Sequence, residues 1–303
     1  MLKTISTPPR YTDAFWNFQK GRNFVESELS CVPKADGGGY YLPTENHIAF
    51  RKEMARMNIF RQIATTHFTE TAMKIAMYLP SGEATFEDDI PFGMSDIATM
   101  EVKTHQLAKI TKISTALICD AGFDFANALA SDFGRSFGKA EEFACINGDG
   151  LKQPYGILHS TQGAETGVNV TSGQEISFDD VISLFFSVDA EYRRNGVWLM
   201  NDKTALHLRT LKDSAGNPLW NHADSTILGM PVYTSPHMPE IGSGTKPILF
   251  GDFSFYWLIE RGGISLRPLR DKFAAYGLTG FLGTMFIDGR LVRQEAVMAL
   301  EMV

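Results

Sequence analysis

One stretch of the chain carries apolar residues at three- and four-residue steps more clearly than any other. Ala126, Leu129, Phe133, Phe137, Ala140 and Ala144 form a single helical stripe that Asp120 or Asp124 can cap. The pattern predicts a helix over residues 122–146, on the order of 37 Å long and about twice the mean length, suited to be the spine of a subunit. Gly134 and Gly138 each cost such a helix about 1 kcal/mol relative to Ala. Being four apart they share one face, which points to close approach of another backbone. Phe125, Phe133, Phe137 and Phe143 read as core packing, and Asn147-Gly148-Asp149-Gly150 as an αL-compatible stop.

The rest of the chain is punctuated differently. Residues 44–63 read as a helix, with Ile48, Met54, Met57 and Ile59 as its apolar positions. Alternation at 68–73, turn chemistry at 78–82 and strand patterns at 100–104 and 107–113 make residues 65–104 an excursion that leaves and returns as a hairpin. Residues 151–177 read as a Gly/Thr/Ser-rich loop. A second amphipathic helix over 181–192 is entered through Ser177-Phe178-Asp179-Asp180. A buried strand at 197–200 follows, then a helix from Asn201 or Asp202 to Leu211 and a turn at 213–218. Strands are expected at 227–228, 231–234, 248–250, 255–260, 264–269 and 273–287, with Arg261-Gly262-Gly263 as a joint. Asp288-Gly289 reads as a two-residue hairpin turn, and 296–303 as a closing strand. Helices and antiparallel strands are segregated, so the fold class is α+β.

Composition narrows the function. The 303 residues are 44% hydrophobic and 21% charged, which excludes a disordered or collagen-like chain, and their length sets a prior of about two domains. The formal net charge of −7 argues against a tight grip on nucleic acid phosphates. Cys31, Cys119 and Cys145 have no metal-type spacing and fit a reducing compartment. No apolar run reaches the roughly 18–20 residues of a membrane span, and residues 1–20 hold no apolar signal segment, so a soluble, cytoplasmic protein is expected.

The charge is not evenly spread. Residues 70–101 carry Glu70, Glu83, Glu87, Asp88, Asp89, Asp96 and Glu101 against Lys74 alone, a net −6. Such a run reads either as a solvated face or as a contact. Residues 1–24 carry Lys3, Arg10, Lys20 and Arg22 against Asp13, a net +3, among aromatics at Tyr11, Phe15, Trp16, Phe18 and Phe24. With Gly37-Gly38-Gly39 behind it, this segment reads either as a short helix packed on its own domain or as a strap laid on another subunit.

Catalytic signatures do not emerge. Gly242-Ser243-Gly244-Thr245-Lys246 has its lysine misplaced for a phosphate loop and reads as a hairpin loop. Asn147-Gly148-Asp149-Gly150 lacks the acid pattern of a calcium loop. The seven histidines never fall at i, i+4, and there is no Cys-x-x-Cys, nucleophile elbow or Rossmann fingerprint. Glu141-Glu142 reads as a solvated helix face. The expected catalytic, cofactor and metal sites are therefore none, and an enzyme whose residues converge only in space stands as an alternative.

Taken in order, several short stretches are together specific. Gly38-Gly39-Tyr40-Tyr41-Leu42-Pro43-Thr44-Glu45 behind a basic, aromatic arm resembles the start of the ordered core in phage major capsid proteins of the Hong Kong 97 type. Ala140-Glu141-Glu142-Phe143, Asn147-Gly148-Asp149-Gly150 and Gln153-Pro154-Tyr155-Gly156-Ile157-Leu158 resemble the end of that family's spine helix and the loop after it. Trp198-Leu199-Met200-Asn201, Leu211-Lys212-Asp213 with Gly216, and Leu228-Gly229-Met230-Pro231-Val232 resemble its axial domain. Gly251-Asp252-Phe253 and Ile287-Asp288-Gly289-Arg290 complete a series that spans nearly the whole chain.

The resemblance implies an N-terminal arm at 1–44 and peripheral-domain segments at 45–64, 105–175 (with the spine helix) and 253–288. It also implies an extended loop at 65–104 and an axial domain at 176–252 with a return at 289–303. It implies a structural, non-enzymatic protein that self-assembles through pentamers and hexamers into an icosahedral shell around double-stranded DNA, without gripping it. Scaffold, portal and decoration proteins are possible partners, no membrane is involved, and the site of action is the virion capsid, assembled in the host cytoplasm. Lys3, Arg10, Lys20 and Arg22 of the arm are expected to meet Glu83, Glu87, Asp88 and Asp89 of a neighbour's loop. Some family members crosslink a loop lysine to a strand asparagine. Here residues 78–95 hold no Lys and no Asn follows Asn221, so no such bond is expected. The chain lacks a long scaffold segment ahead of the arm, which implies a separate scaffold or a removed pro-segment. An encapsulin-like compartment, which shares the fold but needs a cargo-docking N-terminal helix, is the nearest alternative, and the long arm favours a capsid over it.

Overall fold

The structure is a computed structural model that describes residues 8–32, 34–35, 39–69, 74–79, 96–101, 103–120, 122–171, 175–212, 220 and 225–303, with the backbone alone at 74–79 and 96–101. Its helices are α1 (Pro9–Lys20), α2 (Glu26–Leu29), α3 (Thr44–Met57), α4 (Phe60–Ile63), α5 (Thr115–Cys119), α6 (Phe125–Asn147), α7 (Phe178–Ser187), α8 (Ala190–Arg193) and α9 (Asp202–Thr210). The strands of the first half are β1 (Tyr40–Tyr41), β2 (Thr65–Thr69), β3 (Lys74–Leu79), β4 (Asp96–Glu101) and β5 (His105–Ser114). Those of the second half are β6 (Glu165–Val170), β7 (Val197–Met200), β8 (Thr226–Ile227), β9 (Met230–Thr234), β10 (Ile248–Gly251), β11 (Tyr256–Leu269), β12 (Leu278–Leu291) and β13 (Val297–Met302).

Among the described residues the strands make two large sheets and a two-stranded hairpin. One sheet runs β1-β11-β12-β5, with β2 added in parallel to β11; the other runs β6-β13-β10-β7-β9-β8; β3 and β4 pair alone. The first sheet packs against α1, α3 and α6 through Phe15, Phe50, Phe133, Phe137, Phe281 and Met285. The second packs against α7 and α9 through Val181, Leu184, Trp198, Leu208 and Phe250. A third cluster joins the halves: Cys145 and Ile146 at the end of α6 meet Leu199, Leu249 and Val297 of one sheet and Tyr256 and Leu258 of the other. The long helix is thus a spine in the mechanical sense, embedded in one core along its length and in the shared core at its tip.

The two glycines of α6 explain how α3 lies against it. A Cβ on Gly134 would sit 2.5 Å from the Phe50 carbonyl oxygen, and one on Gly138 would sit 2.7 Å from that of Met54. Any side chain there would push α3 away. Asp124 caps the helix by accepting the Asn127 N–H, while Gly148 closes it in extended backbone and the left-handed residue falls at Gly150, with φ 68°.

Several expectations are corrected. The stretch 44–63 is two helices, because Asn58 is extended and its side chain turns to accept the Phe60 N–H and donate to Glu141. The stretch 181–192 likewise breaks at Val188, which is extended. Residues 151–177 contain β6, whose alternation is obscured by Gly167 and Asn169; it is parallel to β13. Arg261-Gly262-Gly263 is a bulge inside one continuous strand, with Gly262 at φ 75°. Asp288-Gly289 is no turn: β12 runs through it, paired with Leu258 and Ile259, and Asp288 is buried. Of the two readings of the basic, aromatic segment, residues 9–20 take the first, a helix on this chain's own core, where Tyr11 and Phe15 are fully buried and the Trp16 indole N–H donates to Asn46.

Candidate assembly interface

The described residues bring together no group of three or more His, Cys, Asp or Glu able to hold a metal, and no helix among them is long and apolar enough to cross a membrane. What they do bring together is a buried ionic network that joins α3, α4, α6 and β11, just ahead of β2. Arg61 of α4 donates from Nε and Nη2 to Glu141 at 2.6 and 2.8 Å, and from Nη1 to Glu260 of β11 at 3.3 Å. Arg51 of α3 donates to the other Glu260 oxygen at 2.6 Å. Burial alone would lower the Arg61 pKa, but the two carboxylates outweigh it and raise it. Glu142 accepts from the Ile59 N–H and the Ser235 hydroxyl, which ties the spine to the loop after β9. The expectation of a solvated Glu141-Glu142 face is therefore wrong: both are buried, each facing a different cationic or hydrogen-bonding partner.

His47 completes the network. Arg51 Nε donates to its Nδ1 at 3.1 Å, so the imidazole is neutral with its proton on Nε2. Burial, then the Arg51 and Arg61 charges, depress its pKa to about 3.

The hairpin's return strand is held from the other side. The Lys103 N–H donates to Asp288 Oδ2 at 2.9 Å, and the Gly289 N–H donates to Oδ1 at 2.8 Å. Burial nevertheless raises the Asp288 pKa. Further along β5, Lys109 donates to Asp132 and Ser136 of α6, both at 2.7 Å. Network and latch together fix the strands flanking β3 and β4 to the spine.

Beside the C-terminal half of α6 lies a groove of about 490 Å³, lined by Leu107, Lys139, Phe143, Lys152, Pro154 and His237 among others. Phe143 is 43% exposed there although the rest of the helix's aromatic stripe is buried. The loop after α6 is held by Asp149, whose carboxylate accepts the N–H groups of Leu151, Lys152 and Gln153 and is kept more acidic than usual by them. That rigid turn presents Leu151, 82% exposed. Singly exposed apolar residues are ordinary; a held, apolar tip beside a half-apolar groove is the texture of a contact surface.

Of the expected inter-subunit residues, Arg10 and Arg22 are exposed at the two ends of α1, and the Lys20 ammonium lies over the Phe125 ring at 5.7 Å. Lys3, Glu83, Glu87, Asp88 and Asp89 lie outside the described residues. The ionic network was missed from sequence because its partners stand about eighty to two hundred positions apart; the one local signal was two adjacent glutamates on a helix otherwise apolar at its C-terminal end.

A family model for the phage capsid family matches residues 38–302. The chain belongs to that family. The capsid of an empty GTA particle is 30% identical with a TM-score of 0.67, over 82% of this chain and 90% of that one. The capsid of a native GTA particle is 28% identical with a TM-score of 0.66, over 80% and 89%. A virus-like particle from Pyrococcus furiosus, 14% identical with a TM-score of 0.54 over 85% and 99%, shares the fold. No curated protein sequence matches the chain. The fold is thus the α+β Hong Kong 97 type, and this phage capsid family member is a structural, capsid-shell protein.

Proposed function

We propose that this capsid protein assembles through pentamers and hexamers into a closed icosahedral shell around double-stranded DNA. The observation that carries the reading is 30% identity with a capsid over nine-tenths of that chain's length. The half built on the five-stranded sheet serves as the peripheral domain, the half built on the six-stranded sheet as the axial domain, and residues 65–104 as the extended loop. Closed symmetry multiplies many modest interfaces, and an acidic subunit encloses DNA without holding it. Assembly takes place in the host cytoplasm, with scaffold, portal and decoration proteins as further partners. Between subunits, the arm cations Lys3, Arg10, Lys20 and Arg22 pair with Glu83, Glu87, Asp88 and Asp89 of the loop. The peripheral ends of α1 leave Arg10 and Arg22 accessible for this; Lys20, over Phe125, contributes least.

Electron microscopy of the expressed protein tests the shell, and nuclease-protected DNA in purified particles tests the contents. Charge reversal at Glu87, Asp88 and Asp89 should weaken assembly and flatten its salt dependence; unchanged assembly would refute the arm–loop pairing. One observation favours a second reading, an encapsulin-like compartment: the N-terminal segment is a helix docked on the core, so the arm no longer separates the two. Shells that contain a host protein and no DNA would establish that alternative.

A further inference from the structure

A line of hydrogen bonds runs from α1 to the first turn of the spine helix. The Trp16 indole N–H donates to Asn46 Oδ1 of α3 at 2.9 Å, and Asn46 Nδ2 donates to Asn127 Oδ1 of α6 at 3.2 Å. Asn127 Nδ2 in turn donates to Asp124 Oδ2 at 2.7 Å. The other Asp124 oxygen accepts the Asn127 backbone N–H at 3.2 Å as the helix cap. The line has one direction. An indole N–H only donates and a carboxylate only accepts, whereas a carboxamide does each from a different atom. Turning over either carboxamide would set donor against donor and acceptor against acceptor, so each link orients the next. Asn46 is buried, which denies the centre of the line a water as substitute partner.

The rest of the hold on α1 is uneven. Tyr11 and Phe15 are fully buried, and the Tyr11 hydroxyl donates to the Tyr41 carbonyl at 2.7 Å. At the other end of the helix, Arg270 donates to the Phe18 carbonyl and lies over the Phe18 ring. Beside it, Gln19 Nε2 reaches the Leu266 carbonyl only at 3.4 Å, and the buried Gln19 Oε1 has no hydrogen-bond partner among the described residues. An unmet buried acceptor opposes docking, so the docked helix carries a cost. Such a helix has a second state, off the core, whose population is set by the bonds that remain.

We propose that α1 and the cap of α6 are one coupled unit: docking of the N-terminal helix tightens the start of the spine, and an intact cap tightens the docking. Asn46 is the positioning residue that joins the two. Coupling of this kind is reciprocal. Any contact that draws α1 off the core thereby loosens the first turn of α6. The inference goes beyond shell formation, and its test needs only the unassembled subunit.

Hydrogen exchange in the ¹⁵N-labelled full chain, read by NMR at the tryptophan indoles, tests it. Asn127→Ala cuts the line beyond Asn46 and leaves the backbone N–H at the cap in place. Exchange at the Trp16 indole should quicken on the order of threefold. The Trp198 indole, bonded to the Ile227 carbonyl in the other core, should keep its wild-type rate. Ala is the better helix former, so a merely local role for Asn127 would leave Trp16 exchange unchanged or slow it. Conversely, Trp16→Phe keeps an aromatic ring and removes the donor, and should quicken exchange at the Asn127 backbone amide by a similar factor. With Asn46→Ala already present, Asn127→Ala should change Trp16 exchange no further. An unchanged rate in either single variant, equal quickening at Trp198, or a full Asn127→Ala effect in the Asn46→Ala background overturns the proposal. If Asn46→Ala loses its near-ultraviolet circular dichroism, the Asn127→Ala and Trp16→Phe variants decide alone.

Discussion

The Arg61 guanidinium meets the Glu141 carboxylate along two bonds of 2.6 and 2.8 Å, and neither side chain is open to solvent. Paired, planar contact of this kind fixes orientation as well as distance. It sets α4, and β2 immediately after it, against the spine helix by a buried charge pair.

Removing one partner should be far more damaging than the pair's net worth suggests. Arg61→Ala leaves Glu141 and Glu260 buried with one cation, Arg51, which is ion-paired with the second of them. A loss of about 3–5 kcal/mol is expected in urea unfolding of the unassembled subunit. A loss below about 1 kcal/mol would show that the network is solvated in solution.

Gly134→Ala and Gly138→Ala test the contact between α3 and α6. Helix propensity alone predicts a gain of about 1 kcal/mol from each substitution. Because each new Cβ would fall 2.5 or 2.7 Å from a carbonyl oxygen, the sign should reverse, to a loss of about 1–3 kcal/mol. Thermal melting of the two variants decides it.

His47 should make the subunit acid-sensitive. Its pKa is about 3 when folded and near 6.5 when unfolded, so the unfolded chain binds the extra proton. The stabilisation is complete above pH 6.5 and is lost as pH falls toward 3, at about 1.4 kcal/mol per unit. His47→Gln should reduce that slope in urea titrations between pH 6 and 4; an unchanged slope would place the acid sensitivity elsewhere.

The Asp288 latch should be visible at one amide. Asp288→Ala removes the acceptor of the Lys103 N–H, so hydrogen exchange at Lys103 should quicken while exchange in the centre of α6 stays as it is. Because burial raises the Asp288 pKa, its carboxylate opposes folding at high pH. Its contribution is most favourable below the ordinary carboxylate range and declines as pH rises through the raised value. The wild type should therefore lose more stability than Asp288→Ala as the pH is raised through that value.

Boiled, reduced particles should run as monomers of 33.6 kDa. Residues 78–95 offer no lysine and the chain has no asparagine after Asn221, so a lysine–asparagine bond of that kind has no partners. A covalent ladder on the gel would contradict this.

Much of the fold was legible because its signals are local. The stripe from Ala126 to Ala144, the Asp124 cap, the Ser177–Asp180 capping box and the glycine pair on one helix face are each set by residues within a few turns of one another. Those determined the spine, the α+β class and even the close helix contact. The ordered motifs from Gly38 to Arg290 determined the family. Local patterning failed where a residue's role depends on a distant partner. Asp288-Gly289 has turn chemistry, yet the ladder to β11 and the Lys103 N–H keep it in a strand. Glu141 and Glu142 are charged, yet Arg61 and Ser235 draw them inside. Tyr11, Phe15 and Trp16 are sticky in any context, and only the surface offered by α6 and β11 decides that they bury at home. Period and capping are read along the chain; burial of a charge, or of an arm, is decided by what the tertiary structure brings to meet it.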